Sequence, residues 1–327
     1  MIDVAIVAYR NWELTRSCLE HLRRQTVEHN IVLCDNGCDE GTAERVTASY
    51  PEVAVVRMER NVAYPIACNT AVAAGRGDVV VMMNNDVDAR PDFLQRLVAP
   101  LRADPRVGSV AALLLRPGEQ QIDSAGLTAD RTLSGFPRLK GRAPESAQGQ
   151  TPVLMGPDGA AAAFRRAAWE QVGGMDEEIS GNMDDFDLAL RLRAAGWTSV
   201  LAGDAVAVHL GSATYGHRSY DHRRRAGFGR AYMLRRYRVL RSRAALRALA
   251  TELIVVVADA ALSRDFAAIV GRYRGWHAAG RHAGEWPPVQ ALDERIGFRD
   301  AMQLRRRTYM RPPSSPALHE SQLAGRQ

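Results

Sequence analysis

Four short stretches of this chain carry carboxylate, amide and imidazole side chains at spacings that suit chemistry on a charged substrate. Asp35, followed by Asn36 and Gly37, comes after the apolar run Ile31-Val32-Leu33-Cys34. Asn84-Asn85-Asp86, with Asp88 two residues on, comes after Val79-Val80-Val81-Met82-Met83. A carboxylate in such a place accepts an N–H from a base or a ribose hydroxyl. With neighbouring amides and water it supplies the oxygen ligands that a hard divalent cation requires. Met183-Asp184-Asp185-Phe186-Asp187 sets three carboxylates within four residues at the opening of an apolar helical pattern. Like charges raise one another's pKa while a helix N-terminus lowers it, an environment that suits a general base. His209 ends the run Ala205-Val206-Ala207-Val208. Plainer readings stand beside these. Asp and Asn lead at turns after strands, Asp184 serves as an N-cap, and acids in a first turn complement the helix dipole. A lone histidine is more often packed than reactive.

The surrounding pattern alternates strand and helix signals. Val4 to Val7, Asn30 to Cys34, Val53 to Val56, Val79 to Met83 and Val107 to Leu115 read as strands. Between them, Leu14 to Leu22, a short stretch opened by Thr42, Asn61 to Ala74 with Pro65 in its first turn, and Pro91 to Leu101 read as helices. Strands alternating with crossover helices predict an α/β fold with an open, mostly parallel sheet flanked by helices. Ligands in such sheets bind beyond the carboxyl ends of the strands, and Asp35 and Asn84-Asn85-Asp86 fall on that edge. Arg116 to Gln150 reads as a long loop with a hairpin. Ala160 to Phe164 is an apolar segment, Arg166 to Val172 and Asp184 to Ala195 are helices, and Val200-Leu201 and Ala205 to Val208 are two final short strands. Beyond Gly216 the pattern is helical to about Ala279, and from Arg311 it is rich in Pro and Ser, a disordered tail.

At 327 residues, 46% of them apolar, the chain has enough material for a sizeable core, which excludes disordered, collagenous and disulfide-scaffold classes. The cysteines Cys18, Cys34, Cys38 and Cys68 form no CxxC pair and read as reduced thiols of a cytosolic protein. The opening residues lack the basic start of a signal peptide, and the run Leu253 to Leu262, interrupted by Asp259, is too short to cross about 30 Å of hydrocarbon. The net charge of +6 is localised: arginines crowd the segment from His217 to Arg247, opposed only by Asp221. Tyr220 to Arg247 therefore reads as a helix with one apolar side and a cationic surface, able to dock on an anionic membrane. No GxxxxGK[ST] and no GxGxxG follows a strand, so phosphate-loop and dinucleotide chemistry lack their motifs.

Taken in order, these pieces resemble the family 2 glycosyltransferases of the GT-A fold, especially their rhamnosyltransferase-like branch. Val4 to Tyr9 with Leu14, Cys18-Leu19 and Gln25 resembles the opening strand and helix of the family. Val32 to Thr42 is similar to its V-D-N-G-S-x-D-G-T, and Arg60-Asn61 with Asn69 to its N-x-G-x-x-x-x-x-N helix. Gly77-Asp78 through Val87 resembles G-D-x-x-x-x-L-N-N-D-V, and Gly173 to Glu177 resembles G-G-F-D-E. Met183 to Leu188 with Arg191, Gly196 and Trp197 resembles E-D-x-D-L-x-x-R-x-x-x-x-G-W. The resemblance covers residues 1 to 215.

It implies roles for the residues that match. Asp35 would recognise the base, Tyr9 would line that pocket, and Arg60, Asn61, Asn69, Asn84 and Asn85 would belong to the nucleotide-sugar site. Asp86 and His209 would hold Mg²⁺ or Mn²⁺, and Asp185 would be the catalytic base. The implied activity is inverting transfer of L-rhamnose or a related sugar from a dTDP- or UDP-sugar to a saccharide, lipid-linked or natural-product acceptor. Residues 1–215 would form the catalytic domain, 216–310 a basic helical region and 311–327 the tail. The expected location is cytoplasmic, peripheral on the inner membrane face, with no nucleic-acid partner. A sugar-phosphate nucleotidyltransferase would share the sheet and acids but needs a Gly-rich phosphate loop near its N-terminus. A non-enzymatic protein binding anionic surfaces would leave the acidic motifs without a use.

Overall fold

The computed structural model describes residues 1–149, 151–180, 182–211, 219–282 and 284–309, with side chains to 306. Its first part follows the hydrophobic pattern. β1 (Ile2–Ala8), α1 (Trp12–Arg23), β2 (Asn30–Asp35), α2 (Thr42–Ser49), β3 (Val53–Arg57), α3 (Tyr64–Ala74) and β4 (Val79–Asn84) alternate as expected. A short β5 (Val87–Ala89), which the pattern did not announce, precedes α4 (Phe93–Ala103) and β6 (Val107–Leu115). Then come β7 (Ile122–Ser124), β8 (Leu127–Ala129), β9 (Gly135–Pro137), β10 (Ala161–Arg165), α5 (Arg166–Gln171), α6 (Asp184–Ala194) and β11 (Thr198–His209).

The main sheet has nine strands in the order β3-β2-β1-β4-β10-β6-β11-β5, with β7 on β6. β3, β2, β1 and β4 are parallel, β10 inserts antiparallel between β4 and β6, and β11 runs parallel to β6. The chain leaves β1 towards β2 and β3 and then returns to its other side as β4. That reversal opens a crevice beyond the carboxyl ends of β1 and β4. Register fills it: Ala8 pairs with Asp35 and Val7 with Asn84, so the Tyr9 loop emerges between the two acidic motifs.

Every residue of β1 and β6 is buried, as befits strands covered on both faces. On one face Leu19 and Leu22 of α1 and Phe93 and Leu97 of α4 share a core with Val4 and Ile6. On the other, Ala67 and Ala71 of α3, Trp169 of α5 and Leu188 and Leu192 of α6 join Ala5, Val80 and Met82. Two expectations change in detail. The two final strands are one, β11, bent at a register shift between Ala202 and Val206. The helix expected from Asn61 starts at Tyr64, because Asn36 holds Asn61 and Val62 in the preceding loop. The hairpin expected in the loop after β6 is β8–β9, and β7 precedes it.

The C-terminal helices are α7 (Tyr220–Arg236), α8 (Ala245–Ser263), α9 (Ala267–Ala278) and α10 (Phe298–Tyr309). The expectation of a cationic solvent face on α7 is corrected here. Arg230 and Arg236 are buried along with Phe228, Tyr232 and Leu234. A buried guanidinium persists only when paired and hydrogen-bonded. Arg223 pairs with Asp259 and Asp265, Arg230 with Glu252 at 2.6 Å, and Arg236 with Asp176 and Glu285. Arg225 donates to the Ser180 carbonyl, and Arg235 to that of Trp276. Residues 212–218 and the expected tail 311–327 lie outside the described residues. No helix among the described residues is long and apolar enough to cross a membrane.

α7 and α9 approach so closely that only glycine fits between them. A Cβ on Gly227 would stand 2.5 Å from the Ala268 oxygen, and one on Gly271 or Gly275 would overlap the carbonyl of Arg224 or Phe228. Adding a methyl there must push two backbones apart, at a cost of about 1–3 kcal/mol. Gly271→Ala is therefore expected to lower the urea midpoint with little change in slope. A midpoint equal to that of the wild type would show that the close approach contributes nothing to stability.

Candidate active site

The loop after β2 is built around its own acid. Asp35 is fully buried, with Oδ1 accepting from the Cys38 amide at 2.8 Å and Oδ2 from the Ala43 amide at 3.1 Å. Two bonds leave lone pairs on a carboxylate for a further donor. Asn36 ties this loop to the next: its Nδ2 donates to the Asn61 Oδ1 at 3.0 Å and its Oδ1 accepts from the Val62 amide at 3.0 Å. Gly37 has a positive φ of 73°, and a Cβ on it would lie 2.5 Å from the Asn61 nitrogen. Both constraints demand glycine. Arg60 is exposed on this seam, and Tyr9 is half-buried with the Arg10 guanidinium 4.9 Å from its ring centre.

At the end of β4 the amides serve as anchors. The Tyr64 hydroxyl donates to the Asn84 Oδ1 at 2.8 Å, and the Asn85 Nδ2 donates to the Thr15 Oγ1 at 2.9 Å. They hold the turn that presents Asp86, whose Oδ1 lies 3.5 Å from the His209 Nε2. Pairing of Val87 with His209 and the Leu210 amide on the Asp86 carbonyl bring β11 to this corner. Behind the imidazole, Nδ1 lies 2.8 Å from the Asp123 Oδ2, and the Lys140 ammonium holds the other Asp123 oxygen at 2.8 Å. Burial disfavours a charged His209, but Asp123 and Asp86 outweigh it and lift its pKa to about 10. Burial likewise opposes the charge on Asp123, yet His209 and Lys140 hold its carboxyl well below the usual range.

This donor set fits a divalent cation. Without a cation, Nε2–H of the charged ring faces the Asp86 carboxylate; a cation bound between them would displace that proton while Nδ1–H stays on Asp123, the carboxylate–histidine arrangement that orients metal ligands. Among the described residues no group of three His, Cys, Asp or Glu surrounds a common point. The described residues thus offer two ligands, and the other positions would fall to further donors, substrate oxygens and water.

The three acids of α6 have different environments. The N-cap is Met183 in a left-handed conformation, so Asp184 is not the cap. The Asp185 Oδ1 accepts from the Phe186 amide at 2.7 Å and its Oδ2 from the Gly159 amide at 3.1 Å. The neighbouring Ala160 carbonyl accepts from the Asn84 amide at 2.9 Å, which joins the acid pair to the end of β4. Burial first, then the charges of Asp184 and Asp158, push Asp185 well above the ordinary carboxylate range. Burial, with Asp187 and Asp158 adding to it, carries Asp184 to about 6. Asp187 is fully buried but compensated by the Arg191 Nε at 2.6 Å, the Tyr237 hydroxyl at 2.9 Å and the Arg236 Nε at 3.4 Å.

Tyr9, Asp35, Arg60, Asn61, Asn84, Asn85, Asp86, His209 and Asp185 thus gather along the sheet edge. Asn69 is engaged elsewhere, gripping the Met175 amide and carbonyl at 2.9 Å and the Glu177 carboxylate, and so holds the loop before α6. Sequence reasoning missed Tyr64, Asp158 and Asp123. Asp158 sits in a Gly-Pro-Asp-Gly turn, a readable signal, whereas Asp123 lies in a stretch without periodicity, 86 residues from its partner His209.

Residues 3–173 match the family model described as glycosyl transferase family 2. Over 203 residues the chain is 29% identical to N-acetylglucosaminyl-diphospho-decaprenol L-rhamnosyltransferase of Mycobacterium tuberculosis, a match covering 55% of this chain and 66% of that one. The chain spans 28% and 66% of the length of the first curated relatives it matches. Two solved structures share the fold. The mannosyltransferase PcManGT of Pyrobaculum calidifontis, in complex with GDP-Man and Mn²⁺, aligns with a TM-score of 0.50 at 18% identity over 86% of each chain. GalNAc-T7, with UDP, GalNAc and Mn²⁺, aligns at 0.55 and 16% identity over 71% of this chain and 50% of that one. The family match over more than half of the chain, carried on this curled sheet of GT-A type, makes it a glycosyltransferase of family 2.

Proposed function

We propose that this chain catalyses inverting transfer of L-rhamnose or a related sugar from a dTDP- or UDP-sugar to a hydroxyl of a lipid-linked saccharide. The observation that carries the reading is Asp185, a buried carboxylate with a raised pKa and no cation beside it among the described residues, joined through Gly159 and Ala160 to the strand end that presents Asp86. Asp35 and Tyr9 would receive the base, and Arg60, exposed beside that loop, would meet the diphosphate. Asp86 and His209 would hold Mg²⁺ or Mn²⁺, which when bound offsets negative charge on the leaving nucleoside diphosphate. Asp185 takes the proton of the acceptor hydroxyl as that oxygen bonds to the anomeric carbon and the bond to the diphosphate breaks. One displacement from the opposite face inverts the configuration. The lipid-linked acceptor is suggested by the M. tuberculosis relative, whose name describes a decaprenyl diphosphate-linked sugar.

Asp185→Asn keeps size and shape and removes the base, so kcat should fall by about 10²–10⁴ while the nucleotide affinity holds. Transfer at the wild-type rate would overturn the assignment. The wild-type rate should also fall on acidification from a pH above the ordinary carboxylate range, because the base must be ionised to act. The same pair has a stability signature. Both acids ionise at higher pH in the folded than in the unfolded chain, Asp184 at about 6, so stability falls as the pH rises from the ordinary carboxylate range through their folded values. Between about pH 5 and pH 8 the melting-temperature difference should move in favour of Asp185→Asn. A constant difference would mean that the pair does not repel in the folded protein.

At the other corner, Asp86→Ala and His209→Ala should each weaken Mn²⁺-dependent binding of UDP or dTDP in calorimetry. Asp123→Asn should lower Mn²⁺ affinity by about 10–100-fold, through loss of the partner that orients His209. If all three variants bind nucleotide and Mn²⁺ like wild type, the metal is held elsewhere or not at all.

A further inference from the structure

α8 is an apolar helix with little of its length buried. Of its 19 residues only Ala248 and Thr251 are buried. Leu246, Leu249, Leu253 and Val257 recur at helical spacing on one stripe, with Leu246 83% and Leu253 66% exposed. Phe266, at the connection to α9, is 68% exposed, and Ile269, Tyr273 and Trp276 continue the pattern along α9. Scattered exposed side chains are ordinary, but eight large apolar ones on two consecutive helices mark an interaction surface.

The charges choose the occupant. The acids near these helices are spent inside the protein: Glu252 on Arg230 and Arg272, and Asp259 and Asp265 on Arg223. Arg241, Arg243, Arg264 and Arg274 remain exposed, and no ion pair engages them among the described residues. A second copy packed on this face would set arginine against arginine with no free carboxylate to offset it. An anionic lipid surface meets both needs, since acyl chains take the apolar stripe and headgroups take the guanidiniums at about 1 kcal/mol each. Tyr273 and Trp276 have the amphipathic rings favoured at that boundary.

We propose that the uncovered faces of α8 and α9 rest on an anionic membrane surface. This places the docking surface on α8 and α9 instead of the arginines of α7, which hold the interior together. It deepens the proposed function and rests on its lipid-linked acceptor. A cavity of about 500 Å³ supports the link: it is lined by Ala226 of α7, Ile254, Ala258 and Leu262 of α8 and Met302 of α10, and it reaches Met183, the residue before Asp184. Ile254 and Leu262 are also exposed, so the cavity, lined as well by Arg223, Arg230 and Arg272, connects the surface of α8 with the residue that caps α6.

The test is co-sedimentation of the full chain with phosphatidylcholine vesicles, with and without phosphatidylglycerol. Binding is expected to the mixed vesicles only and to weaken with salt. Replacing Leu249, Leu253, Val257 and Phe266 together by Gln should reduce it by about tenfold or more, with unchanged melting temperature and nucleotide affinity. Arg241, Arg243, Arg264 and Arg274 changed to Gln should remove the salt-sensitive part. Wild-type chain that binds neither vesicle, or both equally, overturns the proposal. So does a dimer in solution that the apolar-to-Gln variant dissolves without any vesicle binding. Transfer to a water-soluble acceptor analogue separates the two readings: activity without vesicle binding removes only the docking surface, while vesicle binding with an active Asp185→Asn removes only the assigned base.

Discussion

Asp187 has no contact with solvent, and a carboxylate in that position stays ionised only if cations and donors reach it. Arg191 comes from the same helix, but Arg236 and Tyr237 come from α7 and the residue that follows it. Arg236 also engages Asp176 in the loop before α6, and the Tyr232 hydroxyl donates to the same carboxylate at 2.6 Å. Removing one partner of such a buried pair typically costs about 3–5 kcal/mol, a large share of a domain's stability. α7 is therefore part of the machinery that fixes the start of α6, and with it the orientation of Asp184 and Asp185.

The same physics separates the acids by task. Asp187 is compensated and rigid. Among the described residues Asp184 and Asp185 receive backbone amides but no cation, so burial and mutual repulsion raise both. A carboxylate held in this way is a stronger base than one at the surface, and the structure carries that unfavourable pair on a helix start that the Asp187 network holds in place. The opposite corner shows the reverse arrangement. Asp86, His209 and Asp123 alternate in charge, and Lys140 closes the line. The imidazole is thereby oriented with one nitrogen committed to Asp123 and the other facing Asp86.

The arginine-rich segment illustrates how misleading a charge run can be. Its density suggests a solvated cationic face, yet most of its guanidiniums are consumed by carboxylates and carbonyls within the fold. The surface left uncovered is the adjoining one, where a helix of mostly small and aliphatic residues finds little to pack against. Net charge and location of charge are thus separate questions, and only the second concerns a partner.

The sheet, the helices that cover it and the strand-end position of Asp35 and Asp86 were legible because periods of 2.0 and 3.6 residues are local. They record which side of each element must leave water. Even the turn glycine Gly37 is readable, since Asn36-Gly37 between apolar runs names its own backbone conformation. Family-like spacing further singled out His209 and Asp185. What the pattern could not carry was which charge meets which. Asp123 reaches His209 across 86 residues and Tyr237 reaches Asp187 across 50, in segments whose own periodicity is weak or cationic. Asn69, matched by spacing to the nucleotide site, is drawn instead to Met175 and Glu177. Hydrophobic burial is nearly additive along the chain and so leaves a trace in sequence. Pairing of buried charges depends on distances of a few ångströms between segments remote in sequence, and these exist only once the chain has folded.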